Sequence, residues 1–219
     1  MERHFLEELE QLKSKLLKMS GIVEESLSLA IKAFVSRDEN LAKKVVASDQ
    51  TINLLEIEID DLCMRFLALH QPQARDLRFI AAIMKINSDL ERMGDLAVNI
   101  GQRTLDLLKV PPIKPPTNIL AMATAAQGML KDSIDAFVNH DTELAIQVCK
   151  RDDEVDDLNS QIFRELLHLK VHDQTTIERV VDLILVAKNL ERIADHATNI
   201  SEDVIYMVNG KVIKHHIAD

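Results

Sequence analysis

Leu90-Glu91-Arg92-Met93-Gly94-Asp95-Leu96-Ala97-Val98-Asn99-Ile100 decides the fold, because it occurs again 100 residues later. The second copy is Leu190-Glu191-Arg192-Ile193-Ala194-Asp195-His196-Ala197-Thr198-Asn199-Ile200, with seven of the eleven positions identical. Self-similarity at a fixed offset means that one structural unit is built twice. The identities include Glu, Arg, Asp and Asn, which packing alone does not require. Working outward, Ala33-Phe34-Val35-Ser36-Arg37-Asp38 aligns with Ala136-Phe137-Val138-Asn139-His140-Asp141 at an offset of 103. At that offset Asp49 meets Asp152, Leu55 meets Leu158, and Ile59 meets Ile162. The drop from 103 to 100 between Ile59 and Leu90 predicts a shorter turn in the second half.

Apolar residues recur at helical spacing throughout. The first helix is expected over about Glu2 to Ser36, with Leu6, Leu9, Leu12, Leu16, Met19, Val23, Leu27, Ala30 and Phe34 inward. The second covers Glu39 to Leu69, with Asp38 as its N-cap, and stops at His70-Gln71-Pro72. The third runs from Gln73 to Leu108, with Ile86, Leu90, Met93, Ala97 and Ile100 as its core stripe. Four of the five prolines lie in Val110 to Thr117 and mark a linker. Three further helices follow, over Asn118 to Val138, Thr142 to Lys170 and Thr175 to Val208, with Gly210 as the stop. The expectation is all-α: two tandem three-helix bundles of six long antiparallel helices. Residues 1–109 and 118–209 form the bundles, 110–117 the linker, and 210–219 a fraying tail.

Composition agrees. The 219 residues are 47% hydrophobic, with no Trp and only five Gly and five Pro, which suits helices over strands. Net charge is −10 with no basic patch, against nucleic-acid binding. Cys63 and Cys149 lie far apart and read as buried free thiols in a reducing cytosol. Met1-Glu2-Arg3-His4 opens no signal peptide, and no stretch is long and apolar enough for a bilayer. A cytoplasmic chain is expected, touching membrane only peripherally through a partner.

Glu91 and Asp95 lie one turn apart on one helix face, as do Glu191 and Asp195. Acids opposite an apolar stripe are ordinarily a solvated face. Their retention in both halves favours function instead, and paired carboxylates bind hard cations. Asp49, with Asn53 one turn on, and Asp152 with Asp156, are candidate partners on the preceding helices. Asn53 in place of an acid leaves the first site poorer in charge. Glu165 to His168 fits a di-iron pattern but has no counterpart in the first half, so His168 reads as a surface residue. His196, in place of Leu96, is an optional ligand. Arg75-Asp76-Leu77-Arg78 is locally basic, and Arg75 and Arg78 are candidates for docking an acidic partner. No phosphate-binding loop or nucleophile motif is present.

The duplicated ExxxD turn, the stretch Gln73-Ala74-Arg75-Asp76-Leu77-Arg78, and Ala30-Ile31-Lys32-Ala33-Phe34 before Asp38 together resemble the PhoU family over nearly the whole chain. The resemblance implies a pair of three-helix bundles with metal ions, in some members iron or zinc clusters. On this chain Glu91, Asp95, Glu191 and Asp195 match the motif, with Asp49, Asp152 and Asp156 as partners. It implies a cytoplasmic homodimer that carries phosphate sufficiency from a phosphate ABC transporter ATPase to a sensor histidine kinase. Such a regulator represses the phosphate regulon and restrains uptake. The alternative class is a metal-dependent phosphohydrolase or other metalloenzyme, which needs an open coordination site, a pocket and a base.

Overall fold

The computed structural model describes residues 2–169 and 174–212. Six α-helices follow one another: α1 Glu2–Ser36, α2 Glu39–His70, α3 Ala74–Leu108, α4 Ile119–Asn139, α5 Thr142–Leu167 and α6 Gln174–Asn209. No strand occurs among the described residues, and none of these helices is long and apolar enough to cross a membrane.

The duplicated turns are built alike. Arg37 and His140 close α1 and α4 in the left-handed region, at φ 53° and 54°. The next residue is an aspartate that starts the following helix. Asp38 Oδ1 accepts from the Asn40 and Leu41 amides at 2.9 and 3.1 Å. Asp141 Oδ1 accepts from Glu143 and Leu144 at 3.0 and 2.9 Å. Each cap satisfies amides that the first helical turn leaves without partners. Gly210, at φ 68°, closes α6 by donating to the Tyr206 carbonyl at 2.8 Å.

α1, α2 and α3 pack on one another, as do α4, α5 and α6. The most extensive packing joins the two groups along α3 and α6. Lys85 meets Asp203, Asp89 meets His196, and Arg103 meets Asp182. As the number on α3 rises its partner on α6 falls, so these helices run antiparallel. One hydrophobic core consequently extends through both halves. The proline segment is strapped to it. Arg37 donates to the carbonyls of Leu107 and Val110, and Arg179 donates to that of Pro111. Pro116 is buried.

Three expectations change. Leu6 is 56% exposed, because Phe5 takes the inward position against Phe66 and His70, with ring centroids 5.0 and 5.3 Å away. The length difference between halves lies in the helix and not in the turn. α5 has 26 residues against 32 in α2. α5 ends at Leu167, and Lys170, expected inside it, lies outside the described residues. So does most of the 210–219 tail, from residue 213 onward.

Gly94 shows how the halves are tuned. A Cβ there would stand 2.8 Å from Ile52 Cδ1 and 3.2 Å from its Cγ2. The equivalent residues of the second half are Ala194 and Val155, so one carbon has moved from α2's counterpart to α3's. Gly94→Ala improves helix propensity by ~1 kcal/mol. Overpacking costs ~1–3 kcal/mol, so a net loss of stability is expected. Adding Ile52→Val should recover it, with a favourable coupling of ~1 kcal/mol in urea-unfolding double-mutant cycles. Additive effects would show that the two sites do not compete for this space.

Candidate metal centres

The repeated turn of α3 faces α2, which presents Asp49, Asn53, Glu56 and Asp60 at steps of four, three and four. These residues are half-buried, as is Glu91, while Asp95 is more open. Burial raises the Glu91 carboxyl above its usual range, with Asp95, Glu56 and Asp49 adding and Arg92 opposing. Burial also raises Asp95, helped by the Asp49 charge and a hydrogen bond with Asp49. Glu56 rises through burial, Asp60 and Asp95. Each shift records carboxylates held together with little positive charge between them.

In the second half Asp152 and Asp156 of α5 face Glu191 and Asp195 of α6. Burial, then Asp195 and Asp156, push Asp152 up to about 6, with the nearby Thr198 hydroxyl opposing. Asp195 rises through burial, Glu191 and Asp156, with Lys188 and His196 opposing. Asp156 rises through burial and Glu191, again against Lys188. Lys188 Nζ donates to Glu191 Oε1 at 2.6 Å, so this cluster holds an internal cation. Its equivalent in the first half is Ser88.

The first cluster is not poorer in acid, contrary to the expectation from Asn53. Glu56 makes up the charge from one turn further along α2, and its equivalent on α5 is Asn159. At these two positions the halves carry Asn53 with Glu56 and Asp156 with Asn159, one acid each at alternate positions, and Asp60 adds a further acid where α5 has Phe163. Aligning the repeats position by position hides this. Reading α2 as one face at helical spacing reveals it.

The donors suit a hard cation. Asn53 donates to Asp49 Oδ2 at 3.1 Å, yet its own Oδ1 is buried without a hydrogen-bond partner. Asn87 donates to Asp60 Oδ1 at 2.9 Å, and its Oδ1 is buried and partnerless too. Amide oxygens and carboxylates are the donor types that an oxygen-seeking ion takes. The set is all oxygen, which fits magnesium, manganese or ferrous iron better than zinc. Cys149 is buried, and burial pushes its thiol up to about 12. His196 is turned away: its Nδ1 lies 2.8 Å from Asp89 Oδ1 across the α3–α6 seam. Among the described residues no three His, Cys, Asp or Glu side chains converge closely enough to hold a metal ion.

The remaining candidates are separate. Arg75 is exposed at the start of α3. Arg78 is half-buried, and its Nε donates to the Met207 carbonyl at 3.3 Å, tying α3 to the end of α6. That internal bond competes with docking. His168 is exposed, as expected.

The arrangement is twice one unit, and a model of the PhoU domain matches it twice, over residues 16–104 and 119–204. The chain belongs to the PhoU family. It is 44% identical over 208 residues to the Aquifex aeolicus phosphate-specific transport system accessory protein PhoU homolog, covering 95% of this chain and 94% of that one. The fold superposes on crystal structures of PhoU from Pseudomonas aeruginosa and of the phosphate transport system regulatory protein PhoU from Streptococcus pneumoniae. TM-scores are 0.91 and 0.88 at 38% and 32% identity. The first match covers 94% of this chain and 100% of that one, the second 95% and 98%.

Proposed function

We propose that this chain is a regulatory adaptor of phosphate uptake and not an enzyme. It works in the cytoplasm as a homodimer and reaches the membrane only through a phosphate ABC transporter. It contacts the transporter ATPase and a sensor histidine kinase, restrains uptake when phosphate is abundant, and holds the phosphate regulon repressed. The observation that carries this reading is the near full-length match to relatives named as accessory or regulatory proteins of phosphate transport. The carboxylate clusters are its metal sites: Asp49, Glu56, Glu91 and Asp95 in one half, Asp152, Asp156, Glu191 and Asp195 in the other. A bound divalent cation would supply the positive charge that these side chains lack and lock α2 to α3 and α5 to α6.

Regulation requires unequal affinity for two states of the kinase, and 1–3 kcal/mol is a typical coupling size. Long helices with exposed faces supply such a surface, with Arg75 as one contact. Deleting the gene should leave a phosphate-regulon reporter expressed in phosphate-rich medium, and a plasmid copy should restore repression. Full repression in the deletion strain would sink the adaptor reading. Turnover of a generic phosphoester by the metal-loaded protein, lost in Glu91→Ala, would favour a metallohydrolase instead.

A further inference from the structure

The duplication allows the two ends of the α3–α6 seam to be compared. At one end the Phe79 ring of α3 lies against Phe137 and His140, its centroid 5.7 and 6.4 Å from theirs. The equivalents of Phe79, Phe137 and His140 are Arg179, Phe34 and Arg37. At the other end these three line a cavity of about 160 Å³ beneath the proline segment. Arg179 supplies no ring to fill it. Its Nη1 donates to the Pro111 carbonyl and its Nη2 to Thr176 Oγ1, both at 2.8 Å, so its guanidinium is held by the linker and by its own helix. An aromatic side chain at one end is thus matched by a cavity at the other.

The walls indicate what the cavity takes. Its floor is apolar: Leu107 and Leu183 are buried, and Thr104 turns its hydroxyl to the Ile100 carbonyl at 2.9 Å. An apolar cavity of about 150 Å³ is large enough for a benzene ring. Val35, Pro111 and Pro112 stand at an exposed rim, so the cavity opens outward. Arg37 stands at that rim too. Its Nη2 donates to the carbonyls of Leu107 and Val110. Among the described residues its Nε and Nη1 take no hydrogen bond and no carboxylate pairs with it, in a chain of net charge −10. A guanidinium with hydrogens to spare favours a carboxylate. We propose that this cavity binds a small aromatic carboxylate, its ring against Phe34 as Phe79 lies against Phe137, and its carboxylate at Arg37. The site is separate from the carboxylate clusters and does not depend on them.

The probe is benzoate, titrated into the full chain and followed by the methyl NMR signals of Leu107 and Leu183. Benzyl alcohol keeps the ring without the charge, and acetate keeps the charge without the ring. Benzoate should shift both leucines and bind at least about tenfold more tightly than either control. Arg37→Gln should weaken benzoate at least about tenfold and leave benzyl alcohol unchanged. This variant should fold, since Arg37 is exposed and Gln71 adopts the same left-handed backbone, at φ 46°. Arg179→Phe installs the ring that α3 carries at Phe79, and should abolish binding of both ring compounds. Circular dichroism and urea unfolding check its fold, and Arg37→Gln decides the matter if it does not fold. Acetate or benzyl alcohol binding as tightly as benzoate overturns the proposal. So does benzoate binding that leaves Leu107 and Leu183 unshifted, or that Arg37→Gln does not weaken.

Discussion

Phe137→Ala should be among the most damaging single substitutions in this chain, costing ~3–5 kcal/mol. Phe137 is fully buried on α4, and its ring stacks on Phe79 of α3, with centroids 5.7 Å apart and planes 16° from parallel. Truncation therefore opens a cavity where the second half meets the first. It also removes an aromatic pair, which contributes ~0.5–1.5 kcal/mol beyond burial. The loss would be a large share of the ~5–15 kcal/mol typical of a domain. Phe34, its equivalent under the duplication, offers an internal control. It is only half-buried and borders a cavity of about 160 Å³, shared with Leu107, Pro111 and Pro112. Phe34→Ala forfeits less burial and enlarges a space that already exists, so ~1–2 kcal/mol is expected. Urea unfolding of both variants decides the matter. Equal losses would mean that the contact between the halves adds nothing to stability.

The contrast between these phenylalanines marks where sequence reading succeeds. The duplication, the helix phases and both aspartate caps are legible because they depend on local spacing and on repeated residues. The α3–α6 seam is not. Its buried face carries His196 and Asp203 beside apolar residues, and polar residues break the hydrophobic period. His196 accordingly reads as a possible ligand when it spans the seam to Asp89. Arg78 reads as free to dock when it holds a carbonyl of α6. Neither partner lies within 100 residues of its mate in sequence, so no periodicity links them. The carboxylate turns of α3 and α6 were legible because they are kept twice. Glu56 was not, because its α5 equivalent is an asparagine.

The second large effect concerns those carboxylates and runs against the usual acid lability of proteins. Glu56, Glu91, Asp95, Asp152, Asp156 and Asp195 all have raised carboxyls in the fold, burial being the first cause each time. Between the ordinary carboxylate range and the folded values, Asp152 reaching about 6, the native state binds protons that the unfolded chain does not. Stability must then fall as pH rises through that window, and recover on acidification. The metal-free chain should melt higher at pH 5 than at pH 7.5. Each kcal/mol relieved raises Tm by about 2–4 °C for a chain of this size. A divalent cation relieves the same repulsion at neutral pH. At 100 times its Kd it stabilises by ~2.7 kcal/mol per site, so manganese should raise Tm at pH 7.5 by about 5–10 °C for each cluster filled. The gain should vanish toward pH 5, where protons compete for the same oxygens. Glu91→Ala/Asp95→Ala and Glu191→Ala/Asp195→Ala should each abolish about half of the bound manganese while raising the melting temperature of the metal-free chain. Elemental analysis and differential scanning calorimetry read the two quantities separately. Manganese content and Tm gain unchanged in both double variants would remove the cation from the mechanism. Loss of metal without any rise in metal-free stability would show that the carboxylates bind the ion but do not strain the fold.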